Sequence, residues 1–168
     1  FGGLADWVND NIKDGFDGGG KNTGHPLSNS QRLFTTKVKE KFPDYFFEKK
    51  VLDVGSYDIN GNNKFLFEKC KYIGIDVLEG ENVTYVTKGH EYDGDDESFD
   101  TIISTECFEH DMFYEKTLKN IVRMLKTGGL FVFSCAAPGR LEHGTLRTTP
   151  QDSAVTLKNA DGDEELLK

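Results

Sequence analysis

The sequence has few cysteines, few prolines and no apolar run of membrane-spanning length. Its three cysteines, Cys70, Cys107 and Cys135, are odd in number, widely spaced and free of any C-x-x-C pair. That pattern argues against a disulfide scaffold and a zinc site, and it predicts a reduced, cytoplasmic setting. No metal site is expected. No stretch approaches the roughly 20 apolar residues that cross a bilayer, and the start lacks a signal-peptide pattern. Positive charge is scarce too: 20 Lys and Arg against 29 Asp and Glu leave a net charge of -9. This balance disfavours nucleic acid and anionic membrane as partners. Phe1 rather than Met opens the sequence, which therefore reads as processed, trimmed or partial.

What is present fits one domain: 168 residues can bury a real core. Up to His25 there are seven glycines and little periodicity, with Leu4, Trp7, Val8 and Ile12 as one candidate short helical face. Asp17 to Gly24 reads as a loop. Leu27 to Phe42 predicts a helix, capped by Ser28 or Ser30, striped by Leu33, Phe34 and Val38, and stopped by Pro43. From Val51 the pattern alternates strand and helix. The strands are Val51–Val54, Tyr72–Asp76, Val83–Thr87, Phe99–Ser104 and Leu130–Ser134. Helices are expected around Lys64–Lys69 and over Glu115–Leu125, the latter with Leu118, Ile121, Val122 and Leu125 on one face. Thr127-Gly128-Gly129 supplies a left-handed C-cap for that helix, and the apolar fifth strand reads as central. Short βα connections imply an α/β fold with a doubly wound, mostly parallel, Rossmann-like sheet. After Ala137 one candidate strand, Ala154–Leu157, precedes an acidic tail.

The stretch from Lys50 to Gly61 organises the rest. An apolar run ends in Asp53 and Gly55, as at the carboxyl end of the first strand of a nucleotide-binding sheet. Asp76 follows Gly55 by 21 positions, the spacing of a carboxylate that accepts ribose hydroxyls; the alternative is a plain turn-capping aspartate. The loop is not G-x-G-x-x-G, because Tyr57 and Asn60 replace the later glycines. It has no Lys or Arg from Asp53 to Asn63, and Asp58 adds negative charge, which suits a pyrophosphate poorly. A cofactor with a sulfonium, an ammonium and a ribose, namely S-adenosylmethionine, matches better. Alternatively Asp58 points to solvent.

These residues resemble the motifs of the class I S-adenosylmethionine-dependent methyltransferases. Val51-Leu52-Asp53-Val54-Gly55-Ser56 resembles their first motif and Tyr72-Ile73-Gly74-Ile75-Asp76 their second. Ser98 to Glu106, continued by Phe108-Glu109-His110, resembles the fourth-strand motif, and Leu125 to Val132 the helix-turn-strand that follows. The likeness runs from Val51 to Ala137, in particular to the subgroup with a Glu-His pair after strand four. It implies cofactor contacts from Asp53, Gly55, Ser56, Tyr57, Asp58 and Gly61, then Asp76 and Val77. Lys88, Gly89 and His90 would flank the adenine, although His90 is equally readable as an exposed loop histidine. Thr105 and Glu106 would face the methionine portion. By this reading residues 1–26 are an extension, 27–137 the cofactor-binding domain, and 138–168 a substrate-side loop and tail.

Two candidates remain for acid–base work. His110, beside Glu109, is suited to deprotonating an attacking hydroxyl or amine; alternatively it packs at the helix start, since methyl transfer can run on positioning alone. Cys107 has no evident basic partner and reads as a structural thiol. Arg140, Glu142 and His143 follow strand five in a substrate-loop position, without assigned roles. The expected function is methyl transfer from S-adenosylmethionine, leaving S-adenosylhomocysteine, to a small-molecule or glycan-type acceptor. The alternatives are a nicotinamide-dependent oxidoreductase and a cofactor-binding domain without turnover. The family's sheet continues past strand five with a helix and an antiparallel strand pair. Residues 138–168 hold little of that, so the sheet is expected to be incomplete at its C-terminal end. Slow turnover and homodimerisation across the open side would follow.

Overall fold

Among the described residues the first element is the helix that precedes the sheet. A computed structural model describes residues 29–59 and 61–136, with Leu141, His143, Gly144, Arg147, Thr148 and Ser153. In it α1 (Asn29–Lys41) ends before Pro43, which opens a 3-10 turn, Pro43–Phe46, that buries Phe46. The ring of Pro43 lacks the N–H that would extend the helix. The buried stripe differs from the expected one. Thr35 and Val38 face inward, whereas Leu33 is 47% exposed. Thr35 is tolerated inside because its hydroxyl donates to the Gln31 carbonyl at 3.0 Å.

Five strands follow among the described residues: β1 (Lys50–Val54), β2 (Lys71–Asp76), β3 (Tyr85–Val86), β4 (Phe99–Thr105) and β5 (Leu125–Ser134). All pair in parallel in the order β3-β2-β1-β4-β5. Leu52, Val54, Ile75 and Ile102 face one layer, closed by Ile121 and Met124 of α2 (Tyr114–Met124). Val51, Ile103 and Val132 face the other, closed by Val38, Phe46 and Leu66. Cover on both faces explains why most buried positions of the central strands are apolar. The sheet is the doubly wound, Rossmann-like one expected. Strand order reverses between β1 and β4, the switch point beyond whose carboxyl ends such sheets have their ligand crevice.

Several elements differ from the sequence reading. The expected helix near Lys64–Lys69 is a single 3-10 turn, Lys64–Leu66. Side chains compete for its backbone: Gly61 N–H donates to Asp58 and Lys64 N–H to Asn62. β3 is only two residues long. α2 has no glycine cap: Leu125, already extended at ψ 130°, starts β5 directly. Gly128 lies inside β5, where pairing jumps from Phe99↔Leu125 to Thr101↔Leu130. Val122 is 71% exposed and the buried face is Thr117, Ile121 and Met124. β5 is an edge strand among the described residues, not a central one, and Phe133 is 48% exposed. The N-terminal face from Leu4 to Ile12, the Asp17–Gly24 loop, Ser28 and the strand Ala154–Leu157 lie outside the described residues. Among the described residues no helix is long and apolar enough to cross a membrane.

Candidate functional site

The crevice is built first by the turn after β1. Gly55 has φ +81°, and a Cβ there would come within 2.5 Å of Cys107 Sγ, so only glycine fits. The Gly55 and Ser56 N–H groups donate to the Ile75 carbonyl at 2.9 and 3.1 Å, binding the turn to β2. Asp76 completes that join. Its carboxylate accepts the N–H of Tyr57 (3.0 Å), Val77 (2.7 Å) and Leu78 (3.4 Å). It is 9% exposed rather than at an exposed strand end. Burial raises its pKa, and the three N–H groups oppose that rise.

Asp53, within β1, is also buried. Tyr72 donates its hydroxyl to Asp53 Oδ2 at 2.5 Å, while Oδ1 has no partner. Burial pushes its pKa up to about 7; the Tyr72 hydrogen bond opposes this and the Asp76 charge adds to it. Two further buried oxygens nearby in the chain, Ser56 Oγ and Asn63 Oδ1, also lack partners. Buried polar groups are almost always paired, so three such oxygens between Asp53 and Asn63 stand out. Asp58 belongs to the loop itself: its two oxygens accept Gly61 N–H (2.6 Å) and Asn62 Nδ2 (2.7 Å), rather than pointing to solvent.

Beyond β3, Lys88 approaches Glu91 at 3.7 Å. Gly89 is wedged against α2: an added Cβ would lie 2.5 Å from Thr117 Cγ2. His90 is not an exposed loop histidine. Its side chain is 13% exposed and its ring lies 4.6 Å from that of Phe113. At the end of β4, Thr105 Oγ1 accepts Asn63 Nδ2 at 2.9 Å. Glu106 has φ +52° and its carboxylate accepts Ser134 Oγ at 3.0 Å, so it leans towards β5. Cys107 presses on Gly55, and burial pushes its thiol pKa well up, which makes it a poor nucleophile.

Described residues that follow β4 and β5 come together beyond the two strands. Glu109 Oε1 accepts the Ala136 N–H at 3.1 Å. The His110 ring stands edge-on to the His143 ring at 5.5 Å. One ligand-type atom from each of Glu109, His110 and His143 lies within 4.8 Å of the other two. His143 carried no assigned role in the sequence, because only the fold brings it to His110. Tyr72 and Asn63 were also missed, since no motif marks either. Arg140 and Glu142 lie outside the described residues. A separate cleft of about 310 Å³, lined in part by Asp44, Lys49, Asp100 and Lys126, sits at the opposite end of the strands. Its Lys126–Asp100 pair is closed at 2.7 Å.

A 3-2-1-4-5 parallel sheet with a glycine turn after β1 and a buried aspartate ending β2 defines a Rossmann-like, class I methyltransferase fold. Residues 27–153 match the family model described as a methyltransferase domain, and the chain belongs to that family, in its S-adenosylmethionine-dependent class I. Solved structures show the same fold. A phosphoethanolamine N-methyltransferase 2 from Haemonchus contortus matches with TM-score 0.54 and 22% identity, over 80% of this chain and 36% of that one. A Burkholderia thailandensis 1,6-didemethyltoxoflavin-N1-methyltransferase matches with TM-score 0.51 and 21% identity, over 93% and 74%. An Aquifex aeolicus SAM-dependent methyltransferase matches with TM-score 0.52 and 19% identity, over 74% and 77%. Other matching structures are about twice as long as the portion shared, with 55% and 50% covered. No curated protein matches the chain.

Proposed function

We propose that residues 27–137 bind S-adenosylmethionine in the crevice beyond β1, β2 and β4, and that its methyl group passes to a small-molecule or glycan-type acceptor. The observation that carries this reading is the set of buried, partnerless oxygens on Asp53, Ser56 and Asn63 around a glycine turn. Such oxygens suit the ammonium and hydroxyl groups of this cofactor. In this reading Asp76 takes the ribose hydroxyls, and its backbone hydrogen bonds hold the carboxylate in place beforehand. Val77 continues that contact. Asp53 faces the ammonium, the backbone at Gly55, Ser56 and Tyr57 lets the methionine part approach, and Asp58 and Gly61 set the loop's shape. Lys88, Gly89 and His90 flank the adenine; Thr105 and Glu106 lie on the methionine side. When bound, the cofactor supplies a methyl group already activated on a sulfonium. The chain therefore has to exclude water and align an acceptor.

The acceptor belongs beside Glu109 and His110, where His110 can hold the acceptor's proton. The net charge of -9 favours a small molecule over nucleic acid. In line with that, the Haemonchus and Burkholderia proteins were solved with phosphomonomethylethanolamine and with 1,6-didemethyltoxoflavin beside S-adenosylhomocysteine. Family membership leaves the nicotinamide alternative without support.

Calorimetric titration with S-adenosylmethionine, S-adenosylhomocysteine and NAD tests the reading. The first two should bind and NAD should not. Asp76→Ala should weaken S-adenosylhomocysteine by about 1.5–3 kcal/mol for each hydrogen bond lost to the charged group. Unchanged affinity in a folded Asp76→Ala protein would remove the ribose assignment. Binding without methyl transfer to any small acceptor would make this a cofactor-binding domain instead.

A further inference from the structure

We infer that Glu109, His110 and His143 form a binding site for one divalent first-row transition ion, on the acceptor side of the crevice. The three come from two separate loops. Glu109 and His110 follow β4, while His143 follows β5, and the fold brings one ligand-type atom of each within 4.8 Å of the other two. Atoms held about 2.1 Å from a shared ion lie roughly 3–3.5 Å apart, so the trio has only to close modestly around it.

Three further features are those of a metal site rather than of a chance cluster. His143 Nδ1 lies 3.1 Å from the Leu141 carbonyl. A carbonyl only accepts, so Nδ1 carries the proton and Nε2 is left with its lone pair. A ring N–H given to a backbone carbonyl is the usual way a ligand histidine is oriented. Glu109 is oriented likewise, since its Oε1 accepts the Ala136 N–H at 3.1 Å. Gly144, next to His143, is buried with φ +62°, and a Cβ there would come within 2.8 Å of His110 Cε1. Lack of a side chain at 144 is what lets the second loop close on His110.

The donor set decides the kind of ion. Two imidazoles and one carboxylate suit zinc and its neighbours, whereas magnesium and calcium favour oxygen ligands throughout. Three protein ligands also leave coordination positions open, as in catalytic rather than structural sites. An oxygen or nitrogen of the acceptor would fill one of them, and with His110 on the ion, that coordination would take the place of the imidazole base in loosening the acceptor's proton. That last role rests on the proposed methyl transfer; binding of the ion does not.

The test uses the full chain, freed of metal by chelation and kept reduced. Co²⁺ titration should give a saturable visible d–d absorption at one equivalent, abolished by one equivalent of Zn²⁺, which binds such sites more tightly. His110→Ala, His143→Ala and Gly144→Ala should each weaken Co²⁺ at least tenfold. His143→Gln serves if the alanine variant misfolds, and circular dichroism checks each fold. His90→Ala and Cys135→Ser should leave Co²⁺ affinity unchanged. Absence of saturable binding, equal affinity in the folded His143 variants, or loss of binding in Cys135→Ser alone would overturn the site. Titration of the same samples with S-adenosylhomocysteine separates the two ideas. Metal binding without it would sink the cofactor reading and leave the ion site standing, and the reverse result would do the opposite.

Discussion

Asp53 is a site-loop carboxylate whose chemistry departs far from the ordinary. An aspartate buried with one oxygen on Tyr72 and the other unpartnered is costly to ionise, and its pKa rises from 3.8 to about 7. The sign of the consequence follows from linkage. Between about pH 4 and pH 7 the folded chain holds a proton that the unfolded chain releases. Stability from this group is therefore complete below pH 4 and is lost as pH rises through 7, at up to about 1.4 kcal/mol per pH unit. Asp53→Asn cannot ionise, so its melting temperature relative to the native protein should climb from pH 5 to pH 8. A constant difference across that range would show that Asp53 ionises normally. The Gly55 turn and the aspartate that ends β2 were legible from spacing alone, because the turn and the strand end that need them are local. Tyr72 was not, since its value lies in a hydroxyl that reaches Asp53 across the register of two strands.

At the scale of elements, α2 shows how a face is chosen. The apolar spacing allowed Leu118, Ile121, Val122 and Leu125 to share one side. The sheet instead selects Thr117, Ile121 and Met124, turning Val122 out to 71% exposure. Ile121→Ala should cost about 2–5 kcal/mol, as buried large-to-small changes do, and Val122→Ala should fall within about 0.5 kcal/mol. Urea unfolding of both variants checks this, and equal losses would mean the helix is rotated. Periodicity narrows the inward face only to neighbouring options, because one residue turns the helix by about 100°. Similar competition undid the expected helix after β1. Asp58 and Asn62 hydrogen-bond the backbone there, and a three-residue turn results.

Across the whole molecule the order β3-β2-β1-β4-β5 leaves β5 with one unpaired side among the described residues. Phe131 and Phe133 stack along it at 5.3 Å, and Phe133 is 48% exposed. If the homodimer expected from the sequence forms there, sedimentation should show mass rising with concentration, and Phe133→Asp should leave a monomer. A native chain that stays monomeric at high concentration would discard the dimer.

By itself the sequence determined the parallel α/β architecture, the family and the β1 turn with its aspartates. Each of these is written in short apolar runs, glycines and carboxylates a few residues apart, whose constraints are local. Tertiary structure decided what those residues touch. It drew Asp58 into its own loop, set Asn63 on Thr105 across 42 residues, and turned His90 against Phe113. It also brought His143 from the loop after β5 onto His110. These contacts depend on strand register and on which strand ends lie side by side. Packing of the whole sheet sets both, through burial energies that no single segment carries.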